Sequence, residues 1–132
     1  MTPDQIQSLA WSKGDGLLPA VVQRARTGRV LMVAYMNEEA FQRTLETGIV
    51  HYFSRSRNKL WKKGESSGHV QKVEEIRVDC DLDAVVIRAR QTGPACHEGY
   101  RSCFFRTVSP AGELVLNQER QLDPSEIYGG KS

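Results

Sequence analysis

Cys80, Cys96 and Cys103, together with three aspartates at alternate positions, Asp79, Asp81 and Asp83, fall in one stretch from Asp79 to Cys103. Thiolates are the soft donors that zinc selects; a structural site closes with four ligands, whereas a catalytic site keeps three and a water. The cysteines stand apart and form no C-x-x-C pair, so a zinc ribbon is disfavoured and an open three-cysteine site fits better. In such a site zinc draws the pKa of its fourth-position water down towards about 7 and makes hydroxide available at neutral pH. The competing reading is that free cysteines pack as small apolar groups, Cys103 beside Phe104 and Phe105 above all. His97, next to Cys96, suits either metal ligation or proton transfer, because imidazole titrates near neutrality; otherwise it is a solvated loop histidine.

On an extended strand Asp79, Asp81 and Asp83 project from one face and Cys80 from the other. Three carboxylates on one face repel one another unless water, or a hard cation such as Mg2+ with its preference for oxygen, neutralises them. A solvated acidic turn is the plain alternative. A soft donor interleaved with hard ones points to two different metals served by one short stretch.

A third chemical feature lies upstream. Residues 54–68 carry Arg55, Arg57, Lys59, Lys62 and Lys63, with Trp61, Ser66 and several more serines and glycines among them. Guanidinium forks, hydroxyls and the N–H groups of a Gly/Ser loop are phosphate ligands, and an indole offers a face on which a base can stack. The stretch reads as a loop for a nucleotide-sized anion, against the alternative of a mobile, solvated basic loop.

These groups must be positioned by a small domain. The chain has 132 residues, 39% hydrophobic and 26% charged, the composition of a soluble globular protein with one core. Its net charge of +2 is too small to imply nucleic-acid binding by bulk electrostatics. An odd cysteine count argues against a disulfide scaffold, and the missing C-x-x-C against a thiol redox protein. No apolar run approaches the roughly 20 residues that span a bilayer, and the first residues lack a signal-peptide pattern, so the expected compartment is the cytoplasm. Residues 4–13 suggest a short helix. Residues 17–36 read as two strands joined at Thr27-Gly28. Asn37 as N-cap, Glu38 and Glu39 in the first turn and Gly48 as terminator predict a helix over 37–47, with Ala40, Phe41, Thr44 and Leu45 on one face. Residues 49–53, 70–80, 84–89, 103–108 and 113–116 read as further strands, with turns near 81–83 and 109–112. One domain is expected over 1–132, with its core in about 17–116 and a mobile tail over 117–132.

The stretches LMVAYMNEEAFQRTLETG, YFSRSRNKLWKKGESSGHVQKV, DCDLDA and QTGPACHEGYRSCF resemble, in order and spacing, the phosphoribosyl-AMP cyclohydrolase family of histidine biosynthesis, over roughly residues 17–107. Pattern and resemblance together give the expected fold: α+β, a mostly antiparallel β-sheet with one or two short helices, in an intertwined homodimer. The resemblance implies a cytoplasmic enzyme that hydrolyses the N1–C6 bond of the adenine ring in 1-(5-phosphoribosyl)-AMP with zinc and magnesium. By matching motif, Cys80, Cys96 and Cys103 are the zinc ligands and Asp79, Asp81 and Asp83 the magnesium ligands, with the zinc site completed across the dimer interface. His97 and His69 are the acid and base candidates, His97 favoured for its nearness to zinc, and His51 is left as structural. Arg55, Arg57, Lys59, Trp61, Lys63 and Ser66 are expected to hold the substrate. Phe53 and Glu98 depart from the family's commoner Trp and Thr, and neither is an expected ligand. The alternative class is a non-enzymatic zinc module that holds nucleic acid through the basic loop. Against it stand the missing fourth cysteine, the modest charge and the aspartates, which would repel a phosphate backbone.

Overall fold

Residues 17–36 fold as the alternation of their apolar residues dictates. In β1 (Leu18–Arg24) the side chains of Leu18, Ala20 and Val22 point inward and are buried. The strand pairs antiparallel with β2 (Val30–Met36), from Leu18 opposite Met36 to Gln23 opposite Val30. Gly28, at φ +77°, turns the chain between them, a conformation open to glycine without steric cost. This computed structural model describes residues 3–127; residues 128–132 of the expected tail lie outside the described residues.

β2 runs straight into α2 (Glu38–Thr47), where Asn37 keeps an extended backbone and its Oδ1 accepts from the N–H of Ala40 at 2.8 Å. Such a cap contributes about 1 kcal/mol. Gly48, at φ +74°, ends the helix by donating to the Thr44 carbonyl. Ala40, Phe41 and Thr44 are buried and Leu45 packs at the margin of the core, as the periodicity predicts. Next comes a short hairpin, β3 (His51–Ser54) with β4 (Lys59–Lys62), turned at Asn58. β5 (Gln71–Val78) and β6 (Val85–Gln91) form a second antiparallel pair.

The main sheet has the order β2-β1-β6-β5, and β1 and β6 run parallel, with Ala20 opposite Val85 and Arg24 opposite Ala89. A parallel pair needs a long crossover, and everything from β2 to β5 supplies it. Buried residues of β1 and β6, with Leu31, Met36, Phe41, Val50 and Tyr52, form the core. The fold is thus α+β, mostly antiparallel, with few short helices. A last hairpin, β7 (Arg106–Val108) with β8 (Leu114–Leu116), is exposed at every residue of its two strands. No helix among the described residues is long and apolar enough to cross a membrane.

The structure differs from the sequence reading in four places. The helix expected over 4–13 is two pieces, α1 (Pro3–Gln7) and a 3-10 turn at Trp11–Gly14. The stretch 54–68, expected as one loop, contains β4, because Leu60 and Trp61 are apolar enough to pair across to Phe53 and Tyr52. The first strand of the final hairpin begins at Arg106 rather than Cys103. Part of the stretch expected as a tail is tied down: Gln121 and Leu122 donate to the Gly99 carbonyl and Gln118 Oε1 accepts from Ser102 N–H. A four-residue helix, α3 (Pro124–Ile127), follows.

Candidate active site: a carboxylate turn, a thiol pair and a basic cleft

Asp79, Asp81 and Asp83 do not sit on a strand but in the turn from β5 to β6. That turn is built around Asp79, whose Oδ1 accepts from the N–H groups of Asp83 at 3.0 Å and Ala84 at 3.3 Å. Leu82 takes φ +60° to close it. The result gathers what alternation along a strand would have spread out: an oxygen from each carboxylate lies within 4.8 Å of the others. Asp79 and Asp81 are exposed and Asp83 half-buried. Lys13 reaches across from the 3-10 turn to place Nζ 2.7 Å from Asp83 Oδ2. That ammonium, then Asp79, holds the Asp83 carboxyl below its ordinary value. Three convergent carboxylates with one nearby cation keep excess negative charge, and an all-oxygen donor set of this kind fits a hard dication such as magnesium.

Cys96 and Cys103 meet at the other end of β6. The chain leaves Gln91, and residues 95–101 fold into a small loop closed by bonds from Ala95 N–H to the Arg101 carbonyl and from Cys96 N–H to that of Tyr100. Tyr100 stacks on Phe105 at 3.9 Å between ring centres, and with Cys96 they form a small second core. Cys103 is anchored to the main sheet by its N–H on the Leu31 carbonyl at 2.7 Å, beside Ser102, whose hydroxyl donates to Val30. Cys96 is buried and Cys103 exposed as a residue. Even so, burial, and after it the charge of Cys96, pushes the Cys103 thiol up to about 12, with Lys63 opposing. A thiol held protonated beside a second thiol is a donor set that a bound dication would relieve, and sulfur favours zinc.

Cys80 is not part of that pair. It lies exposed in the carboxylate turn, and no group of three donors among the described residues unites it with Cys96 and Cys103. The whole of β6 lies between them, seven residues or roughly 20 Å of extended chain. Nor does the thiol loop fold back along the strand. Ala95 is tied to Lys63, Lys63 N–H donates to Val50, and Val50 N–H donates to Gln71, the β5 residue paired with Gln91. The structure therefore brings together two of the three expected zinc ligands and all three expected magnesium ligands.

His97 faces a cleft of about 590 Å³ whose walls come from β3, β4 and the turn after them. Arg57, Lys59, Lys62 and Lys63 line it together with Trp61 and Ser66. Five of the six residues expected to hold substrate thus share one cavity with His97, and Lys62 joins them. Arg55 does not. Its guanidinium lies 4.1 Å from the ring centre of Tyr35, in a shallower neighbouring cleft of about 570 Å³ shared with Phe53 and Trp61. Tyr35 was invisible as a site residue because it reads as one more aromatic on a strand. Of the other histidines, His51 is buried, its Nδ1 2.8 Å from the Ile49 carbonyl. His69 is half-buried and lies against Gly93, where a Cβ would come within 2.7 Å of its ring. Its carbonyl accepts from Gln91.

Fold and site define a small α+β protein with a cluster of carboxylates and a pair of thiols at opposite ends of one strand and a cationic cleft beside the thiols. The sequence profile described as phosphoribosyl-AMP cyclohydrolase matches residues 32–105. Among curated relatives, the phosphoribosyl-AMP cyclohydrolase of Methanothermobacter thermautotrophicus is 58% identical over 88% of this chain and 85% of its own. That of Methanococcoides burtonii is 56% identical over 87% and 92%, and that of Solibacter usitatus 56% identical over 95% and 99%. The chain belongs to the phosphoribosyl-AMP cyclohydrolase family, a family of enzymes.

Proposed function

We propose that this protein opens the adenine ring of 1-(5-phosphoribosyl)-AMP at its N1–C6 bond, in the cytoplasm, as a step of histidine biosynthesis. One observation supports the reading: His97, the neighbour of Cys96 in the chain, shares a cleft with Arg57, Lys59, Lys62 and Lys63, and Lys63 lies within electrostatic reach of the Cys96–Cys103 pair. Zinc at Cys80, Cys96 and Cys103 would supply the Lewis acidity that brings water into its reactive range near neutral pH. Magnesium at Asp79, Asp81 and Asp83 would supply a hard positive charge for phosphate oxygen. In the reaction water adds to C6, the C6–N1 bond breaks, C6 becomes a carboxamide carbon and N1 gains a proton. His97 takes the proton from the attacking water and returns it to N1; a group with a pKa near the working pH does both jobs well. His69 is the second candidate. Arg57 and Lys59 hold phosphate, Ser66 adds a hydroxyl donor, and Trp61 offers a face to the purine. Arg55 serves from the neighbouring cleft.

The same reading makes the enzyme a homodimer with shared zinc sites. Its support is the distance between Cys80 and the thiol pair and a large exposed apolar surface. Val108, Leu114, Val115 and Leu116 on the last hairpin are 50–69% exposed, and Phe104 beside them is 53% exposed. A lone two-stranded hairpin is marginal in water, and apolar side chains this exposed on it call for cover. The test is metal analysis of purified protein with an absorbance assay of ring opening, before and after chelation. Full turnover in stoichiometrically metal-free protein refutes the zinc reading. Mixing inactive Cys80→Ser chains with inactive Cys96→Ser chains tests the shared site, because heterodimers regain one intact set of ligands. No recovery of activity on mixing rules sharing out.

A further inference from the structure

Lys63 differs from its basic neighbours. Arg55, Arg57, Lys59 and Lys62 are exposed, whereas Lys63 is half-buried. Its backbone N–H is fixed to the Val50 carbonyl at 3.0 Å, so the side chain starts from the core-anchored end of β4. Its ammonium donates to the carbonyl of Ala95 at 2.7 Å. Ala95 is only 2% exposed and directly precedes Cys96, itself 4% exposed. The loop they open is closed by Ala95 on Arg101, Cys96 on Tyr100 and Gly99 on Cys96. A grip on the Ala95 carbonyl therefore fixes the entry of the whole segment that carries both thiols. Burial lowers the pKa of the Lys63 ammonium from the ordinary lysine value, and thiolate charge on Cys103 or Cys96 would oppose that, so the ammonium lies within electrostatic reach of the pair.

A lysine that serves as a phosphate ligand presents its hydrated ammonium to solvent. This one is partly withdrawn from water and donates to a buried carbonyl that would otherwise lose its partner, a loss that costs more than an ordinary hydrogen bond gains. Groups that orient metal ligands from behind commonly account for about 10- to 100-fold in metal affinity. We propose that Lys63 is a positioning residue for the thiol loop, docking Ala95–Cys103 against the end of β4 and setting a positive charge beside Cys96 and Cys103, rather than a ligand of substrate phosphate. The metal half of this role rests on the zinc reading above; the docking half does not.

The test uses the full-length protein and Lys63→Met, which keeps the apolar stem and removes the ammonium, with Lys59→Met as the cleft control. Zinc affinity is measured by chelator competition with zinc alone. Amide hydrogen exchange across residues 95–103 is measured in zinc-free protein. Lys63→Met is expected to bind zinc about 10- to 100-fold more weakly and to exchange faster across 95–103, while Lys59→Met matches wild type in both. Unchanged zinc affinity and unchanged exchange, with only KM raised, would return Lys63 to the substrate and overturn the proposal. Should wild-type protein take up no zinc, the zinc reading falls, and exchange alone decides: faster exchange in Lys63→Met upholds the docking role and equal exchange ends it. Lys63→Gln, smaller and uncharged, gives the same readouts if the methionine variant does not fold.

Discussion

Removing the amide of Gln71 should cost this protein a large part of its stability, and the size follows from what the amide touches. Gln71 is fully buried. Its Oε1 accepts from the hydroxyl of Tyr52, also fully buried, at 2.5 Å, and its Nε2 donates to Gln91 Oε1 at 2.8 Å and to Met32 Sδ at 3.3 Å. Gln91 Nε2 then donates to the carbonyls of His69 and Thr92. Gln71→Met keeps the volume but leaves the Tyr52 hydroxyl and Gln91 Oε1 without these partners. At roughly 1–3 kcal/mol for each of the two orphaned groups, the expected loss is about 2–6 kcal/mol, against a total of about 5–15 kcal/mol for a typical domain. Tyr52→Phe orphans one acceptor and should cost about 1–2 kcal/mol. The double variant removes the stranded hydroxyl, so its cost should fall short of the sum by about 1–2 kcal/mol. Urea unfolding at one fixed protein concentration measures all three, since self-association would shift the midpoint. With a slope of about 2 kcal/mol per molar, the Gln71→Met midpoint should drop by about 1–3 M. A drop under about 0.2 M, or strict additivity in the double variant, would show that water or rearrangement satisfies these groups and would refute the network as a unit.

Three shorter predictions follow from the same geometry. Gly93→Ala imposes φ +67° on a residue with a Cβ, at about 1–2 kcal/mol, and drives that Cβ into the His69 ring; the expected result is a lower kcat and a displaced limb in the pH–rate profile if His69 transfers protons, and an unchanged profile would leave His69 as packing. Leu114→Asp places a charge on the exposed hairpin, where Leu114 is 69% exposed, and should shift sedimentation from dimer to monomer and lower the zinc bound per chain; a variant that stays dimeric with full zinc would move the interface elsewhere. In metal-free protein the Lys13–Asp83 pair contributes stability above the unfolded aspartate pKa, because the folded Asp83 carboxyl is held lower, and that contribution is lost as pH falls through the folded value; in Lys13→Met the Asp83 carboxyl resonance should titrate at higher pH, and an unmoved titration would assign the depression to the turn alone.

Local signals carried most of the elements. Asn37, Glu38, Glu39 and Gly48 mark both ends of α2 because capping and charge act within a turn or two of the helix. Thr27-Gly28 likewise marks the first hairpin. What stayed hidden depends on distant pairings. The parallel contact of β1 with β6 joins strands with everything from β2 to β5 between them, and nothing in either strand names the other. β4 was masked by composition: Lys59 and Lys62 make the stretch look like loop, while Leu60 and Trp61 between them do the pairing. The Tyr52–Gln71–Gln91 network comes from three different strands and has no spacing to read. At the site, residue types were legible and their grouping was not. Alternation of Asp79, Asp81 and Asp83 suggested one strand face, yet a turn with Leu82 at positive φ gathers them instead. Lys63 looked like one more cation of the loop until its bond to Ala95 set it apart.

β6 gives the site its logic. A strand is stiff, and seven residues of it separate its ends by roughly 20 Å. The turn at one end carries Cys80 with the carboxylates, and the loop beyond the other carries Cys96 and Cys103. One chain therefore holds a soft donor where the hard donors are and two soft donors where they are not. If the zinc reading is correct, no rotation of side chains can complete a three-cysteine site within a protomer; only a second copy, bringing its β5–β6 turn to the thiol loop, can. Such an arrangement would also carry the partner's carboxylates towards the basic cleft, so that a hard metal and the cationic side chains face the same doubly phosphorylated ligand. Hydrolysis would then depend on protein concentration more steeply than on metal alone, because dilution below the dimer constant would separate both metals from the cleft at once.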